Sequence, residues 1–400
     1  MRPKLFPPKD KARIQNPQLR KLTIKTTSGP ITVQAYYGRD RKTGKWVMPL
    51  RKRLGIHGHQ AMSHGLESQL CYLATAARSY EKAAEAAGRQ GIVTDDAQIQ
   101  RVVQQVGERA KAQAGKRVEA AFNHKTNKDI RRQAALELKD AAPFVMVVMT
   151  DGAMLRSRGK DWGLKPSSAP GERVAWHELK AGLVLRLSAA PGDAGRELAR
   201  YYVATDGDSA ELGRHLYAKA LRHGLEQAEW VYFIADGAAW IWNVAEEHFP
   251  GSVQALDFYH ASEHIWALAR ALHDDNEEEA RRWVEPVLRS LKHGGGKALM
   301  TMLDDLGATA RDGKLSAGKR EALEREAAYF GKHASRLDYH EARDKGVPIG
   351  SGSMESACKQ LQGRFKCAGQ FWSLSGEQNL LTLELAWRNR DWYKIWAECA

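Results

Sequence analysis

Two apolar runs of strand length set the main constraint on what this chain can fold into. Phe144-Val-Met-Val-Val-Met149 and Trp230-Val-Tyr-Phe-Ile-Ala235 each close on an acidic turn, Thr150-Asp151-Gly152 and Asp236-Gly237. Continuous apolar runs bounded by turn residues mark strands buried on both faces, which need helices on either side. Residues 176–187 and 197–204 read as two further strands, 209–223 as a helix, and 238–249 as another. Val253-Gln-Ala-Leu256 is a short strand ending at Asp257, with a helix from Phe258. The order β-β-β-α-β-α-β-α predicts an α/β fold around a mixed sheet. Residues 261–349 then read as largely helical, with breaks near 294–296 and 312–318, before Gly350-Ser-Gly-Ser353 opens a helix containing Glu355.

The acids at the ends of these runs carry the chemistry. Ligands bind where loops diverge at the carboxyl edge of such a sheet. If the strands follow the RNase H order, Asp151 and Asp236 end neighbouring central strands despite their distance in sequence. Two carboxylates that close repel unless a cation lies between them, and hard oxygen ligands favour Mg²⁺ or Mn²⁺. A single Asp-Gly is also an ordinary turn; two, each closing an apolar run, say more. Glu355 is a third acid. With Ser353 as the helix cap it would stand in the first turn, beside exposed backbone N–H groups. Gly350 and Gly352 would let a phosphate backbone approach, and Glu355, Lys359, Gln362 and Lys366 form one stripe along the helix. The plain alternative is an acid that merely complements the helix dipole.

Charge points to a polyanion. Residues 1–60 hold 15 Lys/Arg against only Asp10 and Asp40, while the whole chain has a net charge of +13, so the arm accounts for all of it. A basic arm on a neutral body fits nucleic acid; a solvated tail or a membrane-surface contact are the alternatives. Alternation at Leu22-Thr-Ile-Lys-Thr26 and Ile31-Thr-Val-Gln-Ala-Tyr-Tyr37, with a turn at Gly29-Pro30 and an extended run from Trp46, predicts a basic β-ribbon. Leu66, Leu70 and Leu73 mark a helix, and Tyr80, Ala83, Ala84 and Ala87 a second. A third, capped by Thr94, buries Ile99, Val102, Val103 and Val106. The last two helices form either a helix-turn-helix or a packing unit. In the first case Gln98, Arg101, Gln104 and Gln105 would face base edges.

Other features are weaker. His260 and His264, with Glu263 between them, read as structural rather than as a metal pair, with His260 alternatively orienting Asp257 or touching DNA. Asp206 and Asp208 read as a turn and a helix cap, and Trp240 and Trp242 as packing. Trp266, Trp283 and Trp372 either pack helices or stack unpaired bases. Cys71, Cys358, Cys367 and Cys399 show no CxxC spacing, so neither zinc nor a disulfide framework is expected, and a reducing cytoplasm fits. No apolar run reaches the about 18 residues of a membrane span. Gly294-Gly-Gly-Lys297 lacks the spacing of an ATP-binding P-loop.

Four segments together resemble a known family: Asp151-Gly-Ala153, Ile234-Ala-Asp236-Gly-Ala-Ala-Trp-Ile-Trp242, Asp257-Phe-Tyr-His260 and Gly350-Ser-Gly-Ser-Met-Glu355-Ser-Ala-Cys-Lys359. They are similar to DDE transposases of bacterial insertion sequences, of the ISKra group, themselves distantly Mutator-like. Arg364-Phe-Lys-Cys-Ala-Gly-Gln-Phe-Trp372 and Trp387-Arg-Asn-Arg390 resemble that group's C-terminal end. The resemblance covers roughly 140–398, and the region before it more loosely. It implies an RNase H-like core interrupted by a helical insertion, with Asp151, Asp236 and Glu355 as catalytic ligands of two Mg²⁺ or Mn²⁺ ions and Asp257 and His260 as an accompanying motif. Upstream cysteine pairs common in that group have no counterpart in residues 21–60. The expected architecture is a basic arm and ribbon at 1–60, a helical DNA-binding region at 61–140, a core at 141–260 and 350–400, and a helical insertion at 261–349. The expected activity is cleavage at element ends and strand transfer into target DNA, without ATP, by a homo-oligomer on double-stranded DNA in the cytoplasm, at the nucleoid. Lys359, Lys366 and Trp372 join the helix-turn-helix residues as expected DNA contacts. An RNase H-fold nuclease and an inactive, domesticated DNA-binding protein remain the alternatives.

Overall fold

The computed structural model describes residues 8–56, 61–163, 171–311 and 315–397; the first seven residues of the basic arm and part of the break expected at 312–318 lie outside them. The chain forms two compact units, one of residues 1–114 with 363–400 and one of residues 115–362.

The first unit contains the basic ribbon, a three-stranded antiparallel sheet in the order β1 (Ile14–Thr26), β2 (Gly29–Asp40) and β3 (Trp46–Val47). Alternation explains its faces. Leu22, Ile24 and Ala35 point to one side and are buried with Leu50 and Ile56, while Lys21, Thr23 and Lys25 point to the other. Gly29 makes the β1–β2 turn at φ +100°, and Thr26 Oγ1 donates to its carbonyl at 2.7 Å. Helices His64–Ala76 and Tyr80–Arg89 are capped by Ser63 and Ser79, whose hydroxyls accept from Leu66 N and Lys82 N.

Helix Asp96–Phe122 buries Ile99, Val102, Val103 and Val106, as their spacing requires. Its start is fixed by Asp95, not Thr94: Asp95 Oδ1 accepts from Gln98 N at 2.6 Å. At 27 residues it is far longer than the short helix expected there. Gly107 on this helix lies against Leu374–Arg388, where a Cβ would stand 2.5 Å from Asn379 Cβ and 2.7 Å from Asn379 O. Gly→Ala in a helix normally gains about 1 kcal/mol. Here the obstacle is backbone, so overpacking of about 1–3 kcal/mol wins. Gly107→Ala is expected to lower the melting temperature, and a thermal melt of the variant checks it.

The second unit is built on a five-stranded mixed sheet in the order β6-β5-β4-β7-β8. These strands are β4 (Phe144–Arg158), β5 (Val174–Ser188), β6 (Glu197–Thr205), β7 (Trp230–Ala235) and β8 (Val253–Leu256). β4, β5 and β6 pair antiparallel, whereas β4, β7 and β8 run parallel. Every side chain from Phe144 to Thr150 is buried, which explains why the central strand reads as a continuous apolar run. Phe144, Met146 and Val148 share one core with helices Ser209–Arg222, Ala239–His248 and Phe258–Leu272. Asp208 caps the first of these, accepting from Glu211 N at 2.8 Å, as expected of a turn residue. Trp242 is buried in this core and Trp240 packs against it.

After β8 the chain is helical as predicted, through Glu277–Gly294, Gly296–Arg311, Ala317–His333 and Tyr339–Asp344. The break at 294–296 is made by Gly295 at φ +75°. Among the described residues no helix is long and apolar enough to cross a membrane.

One expectation about the sheet needs correcting. β4 does not end at Asp151 but continues to Arg158, paired with β5 as far as Arg158↔Val174. The apolar run stops at Asp151 because β7 leaves there, its last pair with β4 being Met149↔Ile234. Beyond that point β4 and β5 go on as a two-stranded hairpin with no need for apolar residues on both faces.

Candidate active site

The parallel register decides where the acids fall. Met149 pairs with Ile234, so Asp151 and Asp236 each stand two residues past the same rung, on adjacent strands at the carboxyl edge of the sheet. Asp236 leaves β7 into Gly237, at φ +100°, and its Oδ1 accepts from Ala238 N at 3.1 Å. Tyr329 OH donates to the Asp236 carbonyl at 3.3 Å, which pins the turn. A Cβ on Gly237 would meet Tyr329 OH at 2.9 Å and Leu256 at 3.0 Å, so no larger residue fits this corner without displacement.

Asp151 is half-buried, and its Oδ1 accepts from Gly152 N at 2.7 Å. Burial does most to raise its pKa above the usual carboxylate range, and the charges of Asp236 and Glu178 push the same way. The Gly152 amide and a hydrogen bond from Cys358 oppose them. Burial, then the charge of Asp151, pushes the Cys358 thiol up to about 12, so it stays protonated and donates to the carboxylate. Sequence reasoning missed both Cys358 and Glu178. A Cβ on Gly152 would meet Glu178 Oε1, so this third carboxylate lies directly over the Asp151–Gly152 peptide. Glu178 is paired with Lys180 at 2.8 Å. The signal that finds it is the β4–β5 register, Gly152↔Lys180 and Met154↔Glu178, which spacing alone does not reveal.

Glu355 is in the first turn of helix Gly352–Phe365, as expected, but not with the other two acids. Its side chain is 63% exposed and paired with Lys359 at 2.6 Å, beside an open recess of about 440 Å³ lined also by Gly352, Ser356 and Gln360. Among the described residues no group of three or more His, Cys, Asp or Glu is close enough to hold one metal ion. Asp151 and Asp236 are brought together, and Glu355 stands apart from them. It is nevertheless one helical turn before Cys358, which touches Asp151, so both lie on neighbouring positions of one helix face.

The start of that helix also differs from expectation. It begins at Gly352, so Ser353 is inside it and contacts Arg200 rather than capping. The Ser351 carbonyl receives Met354 N and Glu355 N. The space a Cβ would take at Gly350 is filled by the Tyr259 ring at 2.6 Å, so only Gly352 faces open space.

Asp257 is 5% exposed and wholly engaged. Its Oδ1 accepts from Tyr259 N at 2.6 Å and His260 N at 3.2 Å, capping helix Phe258–Leu272. Its Oδ2 accepts from Ser351 N at 2.7 Å and from the Ser351 hydroxyl. It therefore ties the segment before Glu355 to the end of β8, and the His260 side chain takes no part in holding it. His260 lies 3.3 Å from Glu263, while His264 Nδ1 meets the buried Glu326 at 2.6 Å and stacks on Tyr329. His264 is thus held by a buried carboxylate and an aromatic ring, with the His260 ring 5.1 Å away.

The expected DNA contacts separate into reachable and unreachable. Gln98 is buried beside Lys25, whose Nζ donates to its Oε1 at 3.5 Å, so it faces no groove. Gln104 accepts from Asn379 Nδ2 at 2.7 Å, and Gln105 is half-buried. Arg101 is exposed, as are Lys359 and Lys366. Trp372 is a core residue: it is 8% exposed, donates to Phe365 O at 2.8 Å and packs against Tyr80. Trp266 and Trp283 are half-buried against the core of the second unit.

The geometry is thus two mutually repelling carboxylates level on adjacent parallel strands, one within β4 and one just past the end of β7, with a third nearby on β5 and a fourth on an approaching helix. No curated protein matches the chain in sequence. An uncharacterised protein family, UPF0236, matches residues 4–133, the basic sheet and the helices after it, and so stops short of every one of these acids.

Proposed function

We propose that this chain is a DNA transposase whose Asp151, Asp236 and Glu355 act at a divalent-metal site on an RNase H-like core. The observation that carries the reading is the register that puts Asp151 and Asp236 level at the carboxyl edge of two adjacent parallel strands. The sheet order β6-β5-β4-β7-β8, with a three-stranded antiparallel meander followed by two parallel additions, is the strand arrangement the RNase H-like reading requires. The helical segment before Glu355 answers to the insertion implied by the resemblance.

The residues suit a hard cation. A half-buried carboxylate destabilised by burial and by a facing carboxylate is relieved by positive charge between the two, and all the donors are oxygens. Asp151 and Asp236 would hold Mg²⁺ or Mn²⁺, and Glu355 would join them on release from Lys359. The ions would activate the attacking hydroxyl and neutralise charge on the phosphate and on the departing 3′ oxygen. The chain's own residues do the rest. Asp257, through Ser351, fixes the start of the helix that presents Glu355. The helices Tyr80–Arg89 and Asp96–Phe122 form the proposed DNA-reading pair, with Arg101 among its exposed cations. Homo-oligomer formation on DNA belongs to the same proposal, because two ends must be joined.

The deciding experiment incubates the full chain with duplex DNA carrying the sequences on either side of its gene, where the reading expects inverted repeats, in Mg²⁺ or Mn²⁺. Cleavage at the repeats followed by joined products is the expected result. Hydrolysed ends with no joining would assign an RNase H-fold nuclease instead, and binding without cleavage an inactive DNA-binding protein.

A further inference from the structure

The first unit carries a feature that the reaction does not use. β1, β2 and β3 contribute one side chain each to a column on a single face of the basic sheet. Arg20 lies over the Tyr37 ring with its guanidinium carbon 4.1 Å from the centroid. Tyr37 and Trp46 stack at 5.2 Å between centroids and 15° between planes. Because β2 lies between β1 and β3, Arg20 and Trp46 flank Tyr37 from opposite sides. Further along this face Leu22, Ile24 and Ala35 are covered by Leu50 and Ile56, but the column is not: Trp46 is 56% exposed. A single exposed ring needs no explanation, but here the open ring ends a stacked cation–aromatic column.

The turn next to it supplies charge. Arg41, Lys42 and Lys45 are exposed between β2 and β3. Their backbone is rigidly held by Asp40, 2% exposed, whose Oδ1 accepts from Lys42 N and Thr43 N at 2.9 Å while Oδ2 receives Arg13 Nε at 2.8 Å. An ordered cationic turn beside a stacked cation–aromatic column has the two elements that unpaired nucleotides require: flat faces for bases and fixed charges for phosphates.

We propose that Arg20, Tyr37 and Trp46 form a stacking platform for unpaired bases of a DNA strand whose phosphates lie along the 40–45 turn. This deepens the transposase reading and rests on it for DNA as the polymer. Bases in a duplex have their faces occupied by their neighbours, so the platform selects single strands; the charges act on both forms.

Anisotropy with a labelled single-stranded oligodeoxynucleotide and the matching duplex tests this on the full chain. Trp46→Ala is expected to weaken single-strand binding by about five- to 150-fold, with duplex binding changed by less than about twofold. Trp46→Phe, which keeps a flat face, restores most of the affinity. Lys42→Gln weakens both substrates alike and lowers the salt dependence. The platform is overturned if Trp46→Ala and Tyr37→Ala bind the single strand like wild type, or lose both substrates by one factor. Tighter platform-dependent binding of the RNA strand overturns the assignment to DNA. Metal-dependent cleavage, run in parallel with Asp236→Asn, reports on the catalytic reading alone. Cleavage that depends on Asp236, without platform-dependent binding, removes only the platform; platform-dependent binding without cleavage supports it while removing the catalytic reading.

Discussion

Asp236→Asn is expected to abolish DNA cleavage, by about 10³-fold or more, while leaving the fold intact. The size follows from the chemistry: electrostatic stabilisation by a bound divalent ion is worth several kcal/mol, and each 1.36 kcal/mol is about tenfold in rate. The intact fold follows from the structure. Asp236 Oδ1 accepts from Ala238 N, a bond that the asparagine carbonyl oxygen keeps, and the Tyr329 contact is to backbone. Removing one of two facing charges also relieves Asp151, so the metal-free variant should melt no lower than wild type and as much as about 1 kcal/mol above it. Calorimetry without and with Mg²⁺ or Mn²⁺ separates the two effects. An ion present at 100 times its dissociation constant stabilises the wild type by about 2.7 kcal/mol, and the variant should lose most of that shift. A variant that melts early without metal, or that cleaves normally, would remove Asp236 from the site.

The features legible in the sequence were those set by local pattern. The apolar runs at 144–149 and 230–235 identified buried parallel strands because both faces of those strands are covered, and the alternation in β1 and β2 identified a sheet with one buried face. Asp151 and Asp236 were legible because an apolar run must stop where its covering ends. What pattern could not show was register. Whether β4 continues past Asp151, and that Glu178 comes to rest on Gly152, depends on pairing with β5. The contact of Cys358 with Asp151 depends on how helix Gly352–Phe365 docks, which the spacing of Glu355, Lys359, Gln362 and Lys366 does not state. Burial of Gln98 had a signal that was outweighed by its polarity: it stands four residues before Val102 and so at the margin of the apolar stripe. Trp372 has no such signal, since its burial depends on Phe365 and Tyr80.

Asp257→Ala should have the largest effect on stability, about 3–5 kcal/mol, and it distinguishes a positioning acid from a metal ligand. The carboxylate is buried and receives four donors, the amides of Tyr259, His260 and Ser351 and the Ser351 hydroxyl. Each buried donor left unpaired costs about 1–3 kcal/mol, and the helix cap at Phe258 is lost with them. Asp257→Asn is intermediate: one side-chain oxygen can still cap Tyr259 and His260, but the amide group then faces the Ser351 N–H, donor against donor. The expected order of melting temperatures without metal is therefore wild type, then Asn, then Ala, measured by thermal melts in a chelating buffer. A metal ligand would behave in the opposite sense, its removal relieving repulsion without metal and costing stability only with it, as for Asp236. Cleavage should fall with Asp257→Ala even below its melting temperature, because Ser351 and Gly352 begin the helix that presents Glu355. If metal-free Asp257→Ala melts like wild type, the tie from β8 to that helix does not hold the site, and Asp257 belongs among the ligands instead.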